Sequence, residues 1–145
     1  MKELKTEIIL NAPKEQIWKV LTDFQNYPSW NPFIVSIEGK PLLHSQLKNT
    51  LMSKGKPMVF TPTVTRLEEN RIFEWLGSGL LGTFKGRHYF ILEDIGNGQT
   101  KLIHGEKFSG LLSGPILKMI GDETLLNFQR MNKALKERVE QQLAV

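Results

Sequence analysis

Hydrophobic and polar positions along the chain first alternate, then recur at helical spacing, and the changes of period mark its elements. Residues 4–10, LKTEIIL, place Leu4, Ile8 and Leu10 on one parity and Lys5 and Glu7 on the other, which predicts a half-buried strand. In NAPKEQIWKVLTDF, Asn11 is expected as an N-cap with Pro13 near the first turn. Ile17, Val20, Leu21 and Phe24 then follow at helical spacing, and this helix ends before Tyr27-Pro28. The next stretch, NYPSWNPFI, concentrates rings, prolines and asparagines where local rules place a turn. Rings exposed in a mobile loop gain nothing and invite aggregation, so this loop is expected to be packed.

Beyond it, FIVSIEG turns Phe33, Val35 and Ile37 inward against Ser36 and Glu38. SQLKNTLMS, MVFTPTVTRL and RIFEWLGSG are β-rich runs cut by the short connections KGKP and EEN. Pro62 lies inside the middle run and cannot donate a ladder bond, so a bulge or an edge is expected there. TFKGRHYFILED and TKLIHGEKFSG flank IGNG, whose Asn and Gly tolerate the positive φ of a tight turn. The predicted total is seven strands.

From Leu111 the period changes. Leu117, Ile120, Gly121, Leu125, Phe128, Met131, Leu135 and Val139 form a stripe, with Arg130, Lys133, Lys136, Glu137 and Glu140 off it. A long amphipathic helix is predicted over about 115–141, started by Ser113 and Pro115. Gly121 inside it predicts a kink, a break or a close approach. An antiparallel sheet has one apolar face to cover, and only this helix is long enough to cover it. The fold class is therefore α+β. A seven-stranded antiparallel sheet wraps around a long C-terminal helix, with two short helices between strands 1 and 2, and a gap between sheet and helix would be a cavity.

Composition narrows this picture. The 145 residues, 40% hydrophobic and 23% charged, suit one domain spanning 1–145 that buries roughly 70% of its unfolded surface. The absence of cysteine excludes disulfides, thiolate metal sites and thiol nucleophiles, and fits a reducing, cytoplasmic location. The N-terminal MKELKTEIIL lacks a signal-peptide core, and no apolar run approaches the roughly 18 residues of a membrane span, so stable membrane insertion is not expected. The net charge of +4 comes from scattered lysines and arginines with acidic neighbours, which argues against nucleic acid as a partner.

Four segments together resemble the START-related, or SRPBCC (helix-grip), superfamily, in its bacterial polyketide cyclase/dehydrase-like branch. They are NAPKEQIWKVLTDFQNYPSWNPFI, then VTRLEENRIFEWLG, then GRHYFILED followed by GQTKLIHGEKFSGLL, and a terminal helix carrying NFQRMNKALKERVE. The superfamily includes polyketide cyclases, the major birch-pollen allergen and lipid-transfer domains, and the resemblance runs nearly end to end. It implies a helix-grip fold around a ligand cavity. It also implies that the tryptophan loop supports the sheet, with Trp30, Pro32 and Phe33 mainly structural.

Candidate chemistry lies on two strands. Parity groups His88, Phe90 and Leu92 on one face, and Leu102, His104, Glu106 and Phe108 on another. If the hairpin joins these faces, two imidazoles and a carboxylate sit on an apolar wall. They could satisfy one another as core groups, grip the polar end of a ligand with Arg87 or Tyr89, or act as acid and base or as a His/His/Glu metal site. Glu106 is expected to point inward with His88, His104 or a main-chain donor as partner. A register slip of one residue would bring Tyr89 or Arg87 opposite instead.

Rings on strands and a facing helix hold walls apart, so Phe60, Trp75, Phe90, Phe108, Phe128 and Met131 are expected around the cavity with Leu112 and Leu117. GSGLLG at 77–82 lacks the lysine of a phosphate loop and the spacing of a dinucleotide fingerprint. With FSGLLSGP at 108–115 it is expected either to frame the cavity mouth or to be an ordinary turn. No cofactor or metal motif is present. The expected function is binding or carrying of a small hydrophobic ligand by a monomer or weak dimer. A cyclase or dehydratase using His88 or His104 with Glu106, and a regulator of a protein partner, are the alternatives.

Overall fold

The computed structural model describes residues 2–144, so the two end residues of the expected 1–145 unit lie outside the described residues. The chain forms β1 (Lys2–Leu10), α1 (Lys14–Thr22), a 3-10 helix (Phe24–Ser29), β2 (Ile34–Glu38), β3 (Lys48–Ser53) and β4 (Lys56–Phe60). It continues through β5 (Thr63–Glu68), β6 (Ile72–Gly79), a 3-10 turn (Leu80–Gly82), β7 (Phe84–Gly96), β8 (Gln99–Ser109) and α2 (Ser113–Leu143). The α+β helix-grip arrangement is present, with two short helices between β1 and β2. No described helix is long and apolar enough to cross a membrane.

The described strands number eight rather than seven, in two antiparallel sheets ordered β1-β8-β7-β6-β5 and β2-β3-β4. The extra strand arises because the single run expected at 58–67 breaks at Thr61-Pro62. Before the break β4 pairs with β3, and after it β5 pairs with β6. Proline has no N–H to donate, but its carbonyl still accepts from Leu47 N at 2.8 Å, and Val64 N donates to Ser45 O at 2.9 Å. The chain therefore changes sheet at Pro62 while staying tied to its neighbour.

α1 starts two residues later than Asn11 suggests: Pro13 occupies the cap position, and Asn11 N donates to Glu140 Oε2 instead, at 3.0 Å. The following 3-10 helix tucks Tyr27 fully into the core, where its hydroxyl donates to Leu21 O at 2.6 Å and burial pushes its pKa up. Trp30 packs edge-on against Tyr27 with ring centroids 5.2 Å apart, so the aromatic loop is packed as expected.

α2 runs over 31 residues without interruption, and Gly121 marks neither a break nor a close approach: a Cβ there would meet no atom within 4 Å. Phe128, Met131, Leu135 and Val139 are fully buried against the sheet. At its start, Gly110 (φ 102°) lies so close to the Thr83 carbonyl that no Cβ could be accommodated. Leu112 N donates to that same carbonyl at 2.9 Å. The connections β6–β7 and β8–α2 are thereby pinned side by side.

Candidate functional site

Between the five-stranded sheet, the three-stranded sheet and the first half of α2 lies a cavity of about 280 Å³. Period-2 alternation sets its sheet wall: Trp75, Gly77 and Gly79 of β6, Phe84, Gly86 and His88 of β7, and Glu106 and Phe108 of β8 share the inward face. Glycines between large residues leave the space. Leu51, Met58 and Phe60 come from the smaller sheet, and Ile120, Thr124 and Asn127 from successive turns of α2. Burial falls from one end to the other. Ile34, Asn49, Trp75 and His88 are buried, whereas Met58, Phe60 and Met119 at the other end are 49%, 42% and 81% exposed.

The buried end is polar. β7 and β8 pair with His88 directly opposite Glu106, so the slip that would bring Arg87 or Tyr89 there does not occur. His88 Nδ1 lies 3.5 Å from Glu106 Oε1. Glu106 Oε2 sits over the Cα of Gly86, where any Cβ would collide with it. Trp75 stacks on the His88 ring at 4.9 Å and 16°.

Behind His88 runs a chain of hydrogen bonds whose direction is fixed at its far end. Thr6 Oγ1 donates to the His104 carbonyl at 2.8 Å, because a carbonyl can only accept. Thr6 Oγ1 therefore accepts from Asn132 Nδ2 (2.8 Å), which turns Asn132 Oδ1 toward His104 Nδ1, also at 2.8 Å. That nitrogen must carry the hydrogen. Burial holds the His104 pKa well below its ordinary value, with the neighbouring His88 ring lowering it further and the Asn132 bond opposing both. A neutral His104 protonated at Nδ1 has a bare Nε2, which accepts from His88 Nε2–H at 2.8 Å.

Of the residues expected around the cavity, Phe60, Trp75, His88, Glu106 and Phe108 stand on its wall. Phe90, His104, Phe128 and Met131 do not: they are packed behind the buried end, with Phe90–His104 and His104–Phe128 centroids each 4.4 Å apart. Leu112 is 41% exposed in the β8–α2 connection, and Leu117 is half-buried on α2, neither of them on the wall. The two His Nε2 atoms face each other at hydrogen-bond distance and so cannot share an ion. Among the described residues no three His, Cys, Asp or Glu side chains converge as a metal-holding group.

Phe33 stands on the wall as well as in the packed loop. Asn31 Oδ1 places it, accepting from Phe33 N and Ile34 N at 2.9 Å each. Gly86, Asn49 and the 119–127 stretch of α2 also line the cavity. Inward parity on their strands was the available signal. In the 77–82 segment, Gly77, Ser78 and Gly79 line the cavity, while Leu81 is fully exposed in the left-handed region (φ 58°).

The sequence profile described as polyketide cyclase / dehydrase and lipid transport matches residues 1–140. No curated protein sequence matches the chain. Among solved structures, the chain is similar to a START superfamily protein from Mycobacterium smegmatis, with 27% identity, TM-score 0.72, and 96% of this chain and 97% of that one covered. It is similar in fold to the ZhuI aromatase/cyclase of a Streptomyces species, with 13% identity, TM-score 0.79, and coverage of 98% and 95%. A norcoclaurine synthase point mutant from Thalictrum, solved with a transition-state analogue, aligns with 13% identity, TM-score 0.74, and coverage of 97% and 95%.

Proposed function

We propose, because the chain belongs to the polyketide cyclase/dehydrase and lipid transport family, that it binds and carries one small hydrophobic molecule in the cavity between its sheets and α2. The carrying observation is the cavity itself, about 280 Å³. That is near the low end of the roughly 300–1,000 Å³ of pockets that enclose small ligands. Its wall is built mainly from aromatic and aliphatic side chains, with Asn49, His88 and Glu106 as polar groups at the buried end. Such a site takes a lipid fragment, a polyketide-like molecule or an aromatic compound. Consistent with the lack of cysteine, we place it in the cytoplasm, as a monomer or weak dimer. Native mass spectrometry of the purified protein tests the reading: an adduct of one small apolar molecule, recovered by solvent extraction, is expected. Bare protein that also fails to bind Nile red contradicts it.

One observation favours a second reading, acid–base chemistry of the cyclase or dehydratase kind: His88 and Glu106 meet on the cavity wall. His88 would be the base and Glu106 its partner. His104, fully buried and off the wall, cannot touch a ligand and would act only through His88. Deuterium exchange at the α-carbon of an aryl ketone, accelerated by the protein and lost in His88→Gln, would support this reading. No acceleration by the intact protein removes it.

A further inference from the structure

We infer that the cavity selects apolar alcohols and phenols and discriminates against carboxylates of the same size; the inference rests on the ligand-binding reading above. The charged and titratable groups around the cavity are few. Glu106 and His88 face it from β8 and β7, Glu123 faces it from α2 with Arg130 3.6 Å away, and Lys54 stands in the β3–β4 turn. At the buried end the question is which hydrogen-bonding capacity is left for a ligand.

His88 has little to offer as a donor. Its Nε2–H is committed to His104, because the chain of bonds through Asn132 and Thr6 terminates on a backbone carbonyl that can only accept. Its Nδ1 faces Glu106. Glu106 brings acceptor oxygens, with Oε2 held over Gly86 on the cavity wall. Asn49, also on the wall and only 2% exposed, has an amide oxygen with no hydrogen-bond partner. Asn127 Oδ1 accepts from Arg130 at 3.1 Å, which leaves the Asn127 N–H groups as donors on the α2 side.

A hydroxyl group suits this set, because it donates to the Glu106 carboxylate while accepting from an amide N–H. A carboxylate does not fit in either orientation. Placed at the buried end, it meets the Glu106 charge at close range in a site with little water to screen it. Placed at the mouth near Lys54, it lays its hydrocarbon end over Glu106, whose oxygens then lose water without gaining a donor.

The experiment is displacement of Nile red by 2-naphthol and by 2-naphthoate, which share one ring system and differ at the polar group. At neutral pH, 2-naphthol is expected to displace the dye at a concentration lower by about tenfold or more, the size of effect that one uncompensated close charge produces. In Glu106→Gln, which keeps an acceptor and removes the charge, this ratio is expected to shrink to about threefold or less. Equal or tighter binding of 2-naphthoate to the unmodified protein, or an unchanged ratio in Glu106→Gln, would overturn the inference and leave the binding reading intact. Failure of Nile red to bind the unmodified protein overturns both.

Discussion

Asn132 lies at the centre of the buried polar chain, bridging His104 on β8 to Thr6 on β1 from a position on α2. Its replacement by Ala leaves the His104 Nδ1–H without an acceptor and the Thr6 hydroxyl without a donor, both in the core. Chemical denaturation is expected to show a loss of about 1–3 kcal/mol. The depressed pKa of His104 adds a pH dependence whose sign follows from linkage. Between the ordinary value near 6.5 and the lower folded value, the unfolded chain binds a proton at His104 that the folded chain refuses. Stability therefore falls as pH drops below about 6.5, by up to about 1.4 kcal/mol per pH unit from this one group. The difference between unmodified protein and His104→Gln, measured from pH 7.5 to 5, should show that slope in the unmodified protein and its loss in the variant. Alternation alone placed Glu106 inward beside His88. It could not reveal Asn132 or Thr6 as partners, because they lie 126 positions apart and meet only when α2 settles on β1.

Secondary elements were legible wherever one face alone is buried. The long helix was anchored by its stripe of Phe128, Met131, Leu135 and Val139, and the β7–β8 hairpin by Asn97 and Gly98 at its tip. The division of one long run into β4 and β5 was marked by Pro62, but a proline breaks a ladder without saying which partner each half will take. Gly121 suggested a distortion that the continuous α2 does not show. Two of the three tryptophans separate support from site at this scale. Trp30 braces the aromatic loop, whereas Trp75 on β6 stacks on His88 and lines the cavity. Trp30→Ala is expected to lower stability by about 2–3 kcal/mol and leave Nile red affinity nearly unchanged. Trp75→Ala is expected to weaken that affinity by about tenfold, or ~1.4 kcal/mol. Calorimetric melting and dye titration on both variants check the contrast, and equal affinity losses would count against it.

For the whole molecule, the space between sheets and helix follows from small residues on inward positions. Gly77, Gly79 and Gly86 alternate with Trp75, Phe84 and His88, and the wall recedes where they stand. Sequence periodicity identified the inward faces but not how far along α2 the cavity extends. The rings chosen for bulk, Phe90 and Phe128, fill the core behind its buried end, while Asn127, Thr124 and Ile120 face the open part. Gly77 gives the most direct handle on the central claim. A Cβ there meets only the Gly86 carbonyl and Pro62 Cβ, each at 4.0 Å, so a larger side chain enters the cavity without a backbone clash. The deciding measurement is Nile red titration of the unmodified protein and Gly77→Leu, with melting temperatures recorded for both. The cavity account predicts one dye per unmodified chain, and a loss of affinity of about tenfold or more in Gly77→Leu at a nearly unchanged melting temperature. Equal binding by the two proteins, or no binding by the unmodified chain, would contradict it.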